Sequence, residues 1–314
     1  MRVTGNYFTN GFLNRLNTLA ANQQRLQNQV STGQRISAPE DDPAAVQRTL
    51  GLQAEQKQVL QYSTNIASLQ DRAMASFNVL KSVKSVSDRA GEIATLADGT
   101  KSPVELKSYA AEVTQMIKQA VQTMNGKHND SYLFGGTQGS QPPFTMATDA
   151  NGNVMGVTYQ GNTEVAQGEV EAGVTLGVDV PGANSTGSGA RGVVADSRSG
   201  ADFFNHLISL QNNLLAGNAT ATTAINTTDL PNLKKDEENL IGHITNNGAL
   251  QTRLETSATI AGNRKQSLSK MVSQEADANI TDTIVQLNQA QYAYQAALQS
   301  GAGIMKTSLL DYLR

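Results

Sequence analysis

The chain has 314 residues, with 24 Lys and Arg against 27 Asp and Glu, a formal net charge of −3, and neither Cys nor Trp. This length suits two or three domains, and the balanced charge without a basic cluster disfavours nucleic acid as a partner. The absence of Cys excludes disulfides, thiol chemistry and the commonest zinc sites. The first ten residues lack the apolar core of a secretory signal peptide, so any export is expected to use another route.

An apolar stripe near the N-terminus predicts a helix that pairs with another helix. Its members recur at gaps of three and four residues over more than three heptads, the spacing of a coiled-coil seam. A proline at position 39 ends the pattern. The stripe consists of Phe8, Phe12, Leu16, Leu19, Leu26 and Val30, with Gln23 among them.

The last 35 residues carry a matching stripe and no charged side chain between positions 283 and 305. Several Gln residues in this stretch make a membrane span improbable. A helix of this length would measure roughly 50 Å, and burying about seven apolar side chains does not offset the cost of ordering its backbone. The stripe consists of Ile280, Ile284, Leu287, Tyr294, Leu298, Met305 and Tyr312.

These features predict that the two ends pair with each other and with neighbouring copies, and that they are disordered in the free monomer. Opposite charges favour the pairing, with Arg35 near one end and Glu275 near the other. Two ordinary amphipathic helices packed on a common core remain the alternative.

Between the ends, capping signals divide the helical sequence. Asp42 followed by Pro43 indicates a helix start, and the helix is expected to run to about residue 97. Pro103 restarts a helix that Asn125 closes. The acidic pair at positions 41 and 42 is interpreted as capping rather than as a metal or catalytic site.

From residue 131 to about 200 the pattern changes to alternation with dense glycine, which predicts a small antiparallel β domain. Strands are expected at 154–159, 163–170 and 174–180, with a flexible connector at 184–192. An Asp/Asn-rich stretch at 149–153 resembles a calcium loop, but Val154 and Gln160 stand where that loop needs Gly and Glu.

Helix is predicted again from Asp202, followed by a polar loop at 217–228. A long helix capped by Thr228 or Asp229 should then reach about residue 275, with a kink at 246–248. The predicted fold class is mainly α with a β insert: a long helical rod and coiled coil plus a small antiparallel domain. Its predicted domains are 1–40 with 278–314 (terminal helices), 41–130 with 200–277 (rod) and 131–199 (insert).

No enzyme signature is present. His128, His206 and His243 are far apart and form no metal-binding motif, and no phosphate-binding or nucleophile-elbow motif occurs. We therefore expect no catalysis, no cofactor and no metal, and we interpret the scattered carboxylates as solvated or capping groups.

Three motifs together resemble the bacterial flagellin family, and most closely its hook–filament junction members. They are Ser31-Thr-Gly-Gln-Arg-Ile36 with Pro39-Glu-Asp-Asp-Pro43, Ser131-Tyr-Leu-Phe-Gly-Gly136 with Pro142-Pro-Phe144, and Leu309-Leu-Asp-Tyr-Leu313. The likeness covers roughly the first 145 and the last 85 residues.

The resemblance implies a secreted structural subunit of the extracellular flagellum, exported unfolded by the flagellar type III apparatus. Implied partners are hook-associated protein 1, flagellin, further copies of the chain and an export chaperone, but neither nucleic acid nor membrane. The expected assembly interface is Phe8, Phe12, Leu16, Leu19, Leu26, Val30, Ile284, Leu287, Tyr294, Leu298 and Met305. The chaperone and export candidates are Leu298, Ile304, Leu309, Leu310 and Leu313.

Two other functions stay open at this point. A flagellin would polymerise alone into long filaments, whereas the 132–144 segment favours the junction type. A glycan-binding adhesin would act through its β insert.

Overall fold

A computed structural model describes the backbone of residues 3–312 and the side chains of residues 10–303. The helices are α1 (Val3–Thr32), α2 (Pro43–Leu96), α3 (Pro103–Met124), α4 (Phe203–Ala216), α5 (Ala219–Ala224), α6 (Leu230–Ala276) and α7 (Ile280–Tyr312), with a π-helical turn at Ile225–Asp229. The strands are β1 (Lys127–His128), β2 (Ser131–Tyr132), β3 (Phe144–Thr148), β4 (Val154–Tyr159), β5 (Gly168–Glu171), β6 (Val174–Leu176), β7 (Ala183–Asn184), β8 (Ala195–Asp196) and β9 (Ala201–Asp202).

These elements form two compact units, Met1–Val59 with Asn263–Arg314, and Leu60–Gly262. The predicted class, mainly α with a β insert, is confirmed, since 66% of the structure is helical and its sheets are small. The division proposed from the sequence, with boundaries near residues 40, 130, 200 and 277, stays a prediction.

The local capping signals place α2 and α3 where the sequence predicts them. The Asp42 carboxylate accepts the Ala45 N–H at 3.0 Å, so Asp42 caps α2. Ser102 and Glu105 form a reciprocal capping box at the start of α3. Each such cap satisfies backbone N–H groups that the first helical turn leaves unpaired.

The predicted polar loop at 217–228 is wrong. Gly217 ends α4 in the left-handed conformation, with φ of +56°. Asn218 then caps α5, and the π-helical turn leads directly into α6. Asp229 is not a cap: it is 1% exposed, and its carboxylate accepts hydrogen bonds from Ser209 Oγ and Asn213 Nδ2, each at 2.7 Å. Helix α6 passes uninterrupted through residues 246–248, where a kink was expected.

Strand β4 matches its predicted range, but the two later strands are shorter than expected. The residues that pair as strands are 168–171 and 174–176. Outside them, Glu164 Oε2 accepts a hydrogen bond from Thr137 Oγ1 at 3.3 Å, and Asp179 pairs with Arg72 of α2. The connector expected at 184–192 contains a hydrogen-bonded turn, since buried Asn184 donates through Nδ2 to the carbonyls of Ser188 and Ala190.

The insert packs into the core of its helical unit. Its sheets are three antiparallel pairs, β1–β2, β3–β4 and β5–β6, and a three-stranded sheet in which β7 and β8 are parallel. Phe144 and Val154 join the core residues of α3 and α4. Gln211 of α4 is fully buried, accepts from Thr114 Oγ1 at 2.9 Å and donates to the Val154 carbonyl at 3.1 Å. This amide therefore ties the β3–β4 hairpin to both helices.

Candidate assembly surface

The terminal helices α1 and α7 pack against each other within their unit. A Cβ atom on buried Gly301 would lie 2.2 Å from Cζ of Phe12, so the aromatic ring occupies the space that the glycine leaves. At the other end of the pair, the Ala278 N–H donates to the Gly33 carbonyl at 2.8 Å. These two contacts show that the helices run antiparallel.

The structure divides the predicted interface residues into two groups. Phe12, Leu16, Leu19, Val30, Leu287 and Tyr294 are partly buried, and Leu26 is buried. Ile284 and Leu298 are instead 42% and 45% exposed. The side chains of Phe8, Met305, Ile304, Leu309, Leu310 and Leu313 lie outside the described residues.

A second set of apolar side chains on α7 remains exposed, and we call it the assembly face. It consists of Ile284, Val285, Tyr292 and Leu298, with exposed fractions from 42% to 72%. The sequence carries no charged side chain between positions 283 and 305, so none lies among these exposed apolar residues. A grouping of this kind is typical of a surface that binds protein.

The segment after α1, residues 33–42, binds the end of α6 and the turn that follows it, residues 275–278. We call this contact the latch. The Arg35 N–H donates to the Ala276 carbonyl at 2.7 Å, next to the Gly33–Ala278 bond. The Arg35 guanidinium donates to the Glu275 carbonyl at 2.9 Å and to Asp42 Oδ2 at 3.2 Å. Gly33 permits this geometry because its φ is +73°, which side chains rarely adopt.

Ion pairs reinforce the latch. Arg48 Nη2 lies 2.9 Å from Glu275 Oε2, and Arg264 pairs with Glu55. The hydrogen bond from Arg48 lowers the pKa of Glu275, and the Ala45 N–H together with Arg35 lowers the pKa of Asp42. Both carboxylates therefore stay charged at neutral pH and hold the arginines in place.

The latch residues were not among the predicted site residues, although the opposite charges of Arg35 and Glu275 were a usable signal. Their neighbour Asp41 is an acceptor as well, since its Oδ2 receives the N–H groups of Ser37 and Ala38. An uncharged groove of about 220 Å³ lies beside the latch. It is lined by Gln34, Ile36, Ser37, Ala38, Pro39, Val46, Thr49, Leu50, Gln53 and Ala276.

Across the residues that the structure describes, His, Asp and Glu nowhere gather in threes around a possible metal position. Within the same part of the chain, no helix is both long and apolar enough to span a membrane. The arrangement of α1, α7 and the latch is suited to packing against other helices.

Comparison with known proteins agrees with this interpretation. The bacterial flagellin N-terminal helical region matches residues 3–139. Flagellar hook-associated protein 3 of Escherichia coli K12 is 25% identical over 283 residues, 85% of this chain and 87% of that protein. The Salmonella typhimurium LT2 protein of the same name is 29% identical over 143 residues, 45% of each chain.

Solved structures share the fold. Bacillus cereus FlgL has a TM-score of 0.55 at 20% identity, covering 71% of this chain and 99% of that one. Xanthomonas campestris FlgL has a TM-score of 0.56 at 15% identity, covering 69% of this chain and 98% of that one. The matched N-terminal region contains the first motif from which the resemblance was inferred and the Ser131–Gly136 part of the second. These findings agree with that resemblance: over residues 3–139 the chain is similar to the bacterial flagellin N-terminal helical region, and over most of its length it is similar to flagellar hook-associated protein 3.

Proposed function

We propose that this chain is a hook–filament junction subunit that links the hook-associated protein 1 zone to the flagellin filament. It would act by helix packing rather than catalysis. The observation that supports this proposal best is the assembly face, an uncharged apolar surface on a helix whose other side already packs on α1.

The assembly face is small for a binding surface. Complete burial of such side chains gains ~1.5–3 kcal/mol each, so covering the exposed half of four of them gains on the order of 3–6 kcal/mol. Association itself costs an estimated 4–15 kcal/mol in lost freedom of motion. One assembly face alone would therefore bind weakly, whereas several contacts in a ring of subunits would add to a stable joint.

The names of the related proteins support hook-associated partners, and the family resemblance supports secretion by the type III route. We propose hook-associated protein 1 on one side, flagellin on the other and further copies laterally. Before export, a chaperone would bind the C-terminal candidates Leu298, Ile304, Leu309, Leu310 and Leu313.

The proposal is tested by placing a charge on the assembly face. In a strain lacking the chromosomal gene, Leu298→Asp and Ile284→Asp should each abolish filament attachment, so that flagellin accumulates in the medium. Because both side chains are more than two-fifths exposed, neither substitution should disrupt the fold. Met74→Asp, on an apolar side chain of α2 that is 59% exposed, is the matched control and should support normal filaments.

Export is measured separately by detecting the variant chain itself in the medium. Ile284 is not among the chaperone candidates, so Ile284→Asp separates a defect in assembly from one in export. Normal filaments with both assembly-face variants would contradict the proposal.

The flagellin alternative predicts a different result. Purified chain mixed with short filament seeds would then extend them into long filaments without other proteins. A junction subunit should stop after a limited layer, which electron microscopy of the seeds would reveal.

A further inference from the structure

One face of α6 contacts the segment 192–206 through three side chains, Asp236, Asn239 and His243. We call these three residues the clasp row. Their spacing of three and four residues places them on the same side of the helix. All three are at most 8% exposed. They face a segment that contains β8, β9 and the first residues of α4.

Each member of the clasp row binds the backbone of this segment. Asp236 Oδ1 accepts the Asp202 N–H at 2.8 Å. Asn239 Nδ2 donates to the carbonyls of Gly192 and Val193, at 3.0 and 2.7 Å. His243 Nε2 lies 3.0 Å from the Gly192 carbonyl oxygen, which can only accept, so the ring donates from this nitrogen.

His206 of α4 extends the clasp row, with Nδ1 2.7 Å from Asp236 Oδ2. Burial raises the pKa of the Asp236 carboxyl, and the bond to His206 opposes that rise. Burial lowers the pKa of His206, but its hydrogen bond to Asp236 and the attraction of Asp236 and Asp202 outweigh burial and the repulsion of Lys235. The net pKa of His206 is raised above 6.5. The protonated imidazolium is therefore the form that the fold favours.

His243 favours the opposite protonation state. Burial is the largest influence and lowers the pKa of His243 below 6.5, and Arg191 adds to this effect. The Gly192 carbonyl and Asp196 raise the pKa of His243 and so oppose the lowering only in part. Asp196 stays ionised, because Arg198 holds its pKa far below the usual range. Lys235 and Glu238 line the same polar cleft as His243.

We propose that the clasp row and His206 form a two-sided pH-sensitive clasp, which holds residues 192–206 most firmly when His206 is protonated and His243 is neutral. The structure places both histidines against one segment in opposite surroundings: the Asp236 carboxylate beside His206 favours a protonated ring, and the burial of His243 favours a neutral one. This device is independent of the assembly face and of the junction function.

The signs of the two effects follow from proton linkage. The stabilisation from His206 is fully present below its unfolded pKa, 6.5, and is lost as the pH rises through its higher folded pKa. The stabilisation from neutral His243 is present above 6.5 and is lost as the pH falls from there toward its lower folded pKa. The titration of each histidine can change the opening equilibrium of the segment by at most about tenfold per pH unit, which gives an acid limb from His243 and an alkaline limb from His206.

Hydrogen exchange on the full-length chain measures this directly between about pH 5.5 and 8.5. The probes are the N–H groups of Asp202, bonded to Asp236, and of Phe203, bonded to the Val194 carbonyl at 2.8 Å. After correction for intrinsic exchange, their opening constant should pass through a minimum near pH 6.5. It should rise toward both ends of the range, by no more than about tenfold per pH unit.

Two variants separate the limbs. His206→Asn keeps a neutral donor toward Asp236 and should remove only the alkaline rise, whereas His243→Gln keeps a donor toward Gly192 and should remove only the acid rise. A flat profile in the unmodified chain, or a limb that survives the loss of its own histidine, would overturn the proposal.

If either variant fails to fold, NMR titration of the imidazole signals in a folded chain still tests the proposal. His128→Gln removes the third imidazole signal and leaves the two of interest. The proposal requires one histidine to titrate above pH 6.5 and the other below it. It is refuted if both titrate on the same side.

Discussion

The second glycine of the Tyr-Leu-Phe-Gly-Gly motif supports the sharpest stability prediction. Gly136 has φ of +68°, and a Cβ added there would lie 2.1 Å from Asn162 Oδ1 and 2.5 Å from its backbone oxygen. Gly136→Ala therefore meets two costs at once. A left-handed conformation costs an alanine roughly 1–2 kcal/mol, and forcing a methyl group into filled space costs typically 1–3 kcal/mol.

Gly173 provides the matched control, because its φ is +73° but a Cβ there would meet nothing within 4 Å. Gly173→Ala should therefore show only the conformational cost, about 1–2 kcal/mol. Gly136→Ala should lose about 2–5 kcal/mol in total. Urea denaturation followed by circular dichroism gives both values, and the difference isolates the clash with Asn162. Equal destabilisation by the two variants would refute this reasoning.

Three further predictions concern the terminal helices. Gly301→Ala should weaken filament attachment, because its methyl group would collide with the ring of Phe12. Gly11→Ala is the control and should leave attachment unchanged, because a Cβ there meets nothing within 4 Å. Adding Phe12→Ala should rescue the Gly301→Ala variant. Brief protease treatment of the free monomer should cleave α1 and α7 before α2 and α3, and equal resistance would contradict the proposed ordering on assembly. The latch should open in acid. Arg48 lowers the pKa of Glu275 in the folded chain, so the stabilisation from this ion pair is present above the unfolded pKa of 4.5 and is lost as the pH falls. Faster hydrogen exchange of the latch amides at low pH would show the opening, and an unchanged acid response in Arg48→Met would argue against this cause.

The helix boundaries were predictable because their signals are local. Pro43 and Pro103 begin α2 and α3 as predicted, each preceded by a capping side chain. Such caps depend on residues within one turn of the chain, so the sequence alone identifies them. Strand β4 also matches its predicted range, although its burial does not alternate strictly, since Gly156 and Val157 are both partly buried.

The segment at 219–229 shows where local signals fail. Its Thr and Asn residues have weak helix propensity and suggested a loop. In the fold, Ile225 is fully buried and Asp229 accepts two hydrogen bonds from α4. These tertiary contacts outweigh the propensity and produce helix with a π turn. No sequence pattern of this segment announces a partner that lies elsewhere in the chain.

The interpretation of all carboxylates as solvated or capping was wrong for the buried ones. Asp236 is 1% exposed and binds both His206 and a backbone N–H. One signal was available: Asp236, Asn239 and His243 alternate with the buried Leu233 and Leu240 on α6. Polar side chains at core spacing on an amphipathic helix indicate a buried polar contact, although they do not identify its partner.

The first two motifs that carry the family resemblance form contacts between segments of the chain rather than a chemical site. Gly33 and Arg35 of the first motif bind the turn between α6 and α7, and Gly135 and Gly136 of the second allow a close approach to other backbone atoms. A contact of this kind tolerates few substitutions, since glycine or a precisely placed guanidinium is needed, whereas the apolar stripes accept many residues of similar size. The motif residues therefore fix how the helices are held, and the apolar stripes supply the surface that would bind neighbouring subunits. That division explains why the first and last helices could be matched by character alone, while the latch between them needed the structure.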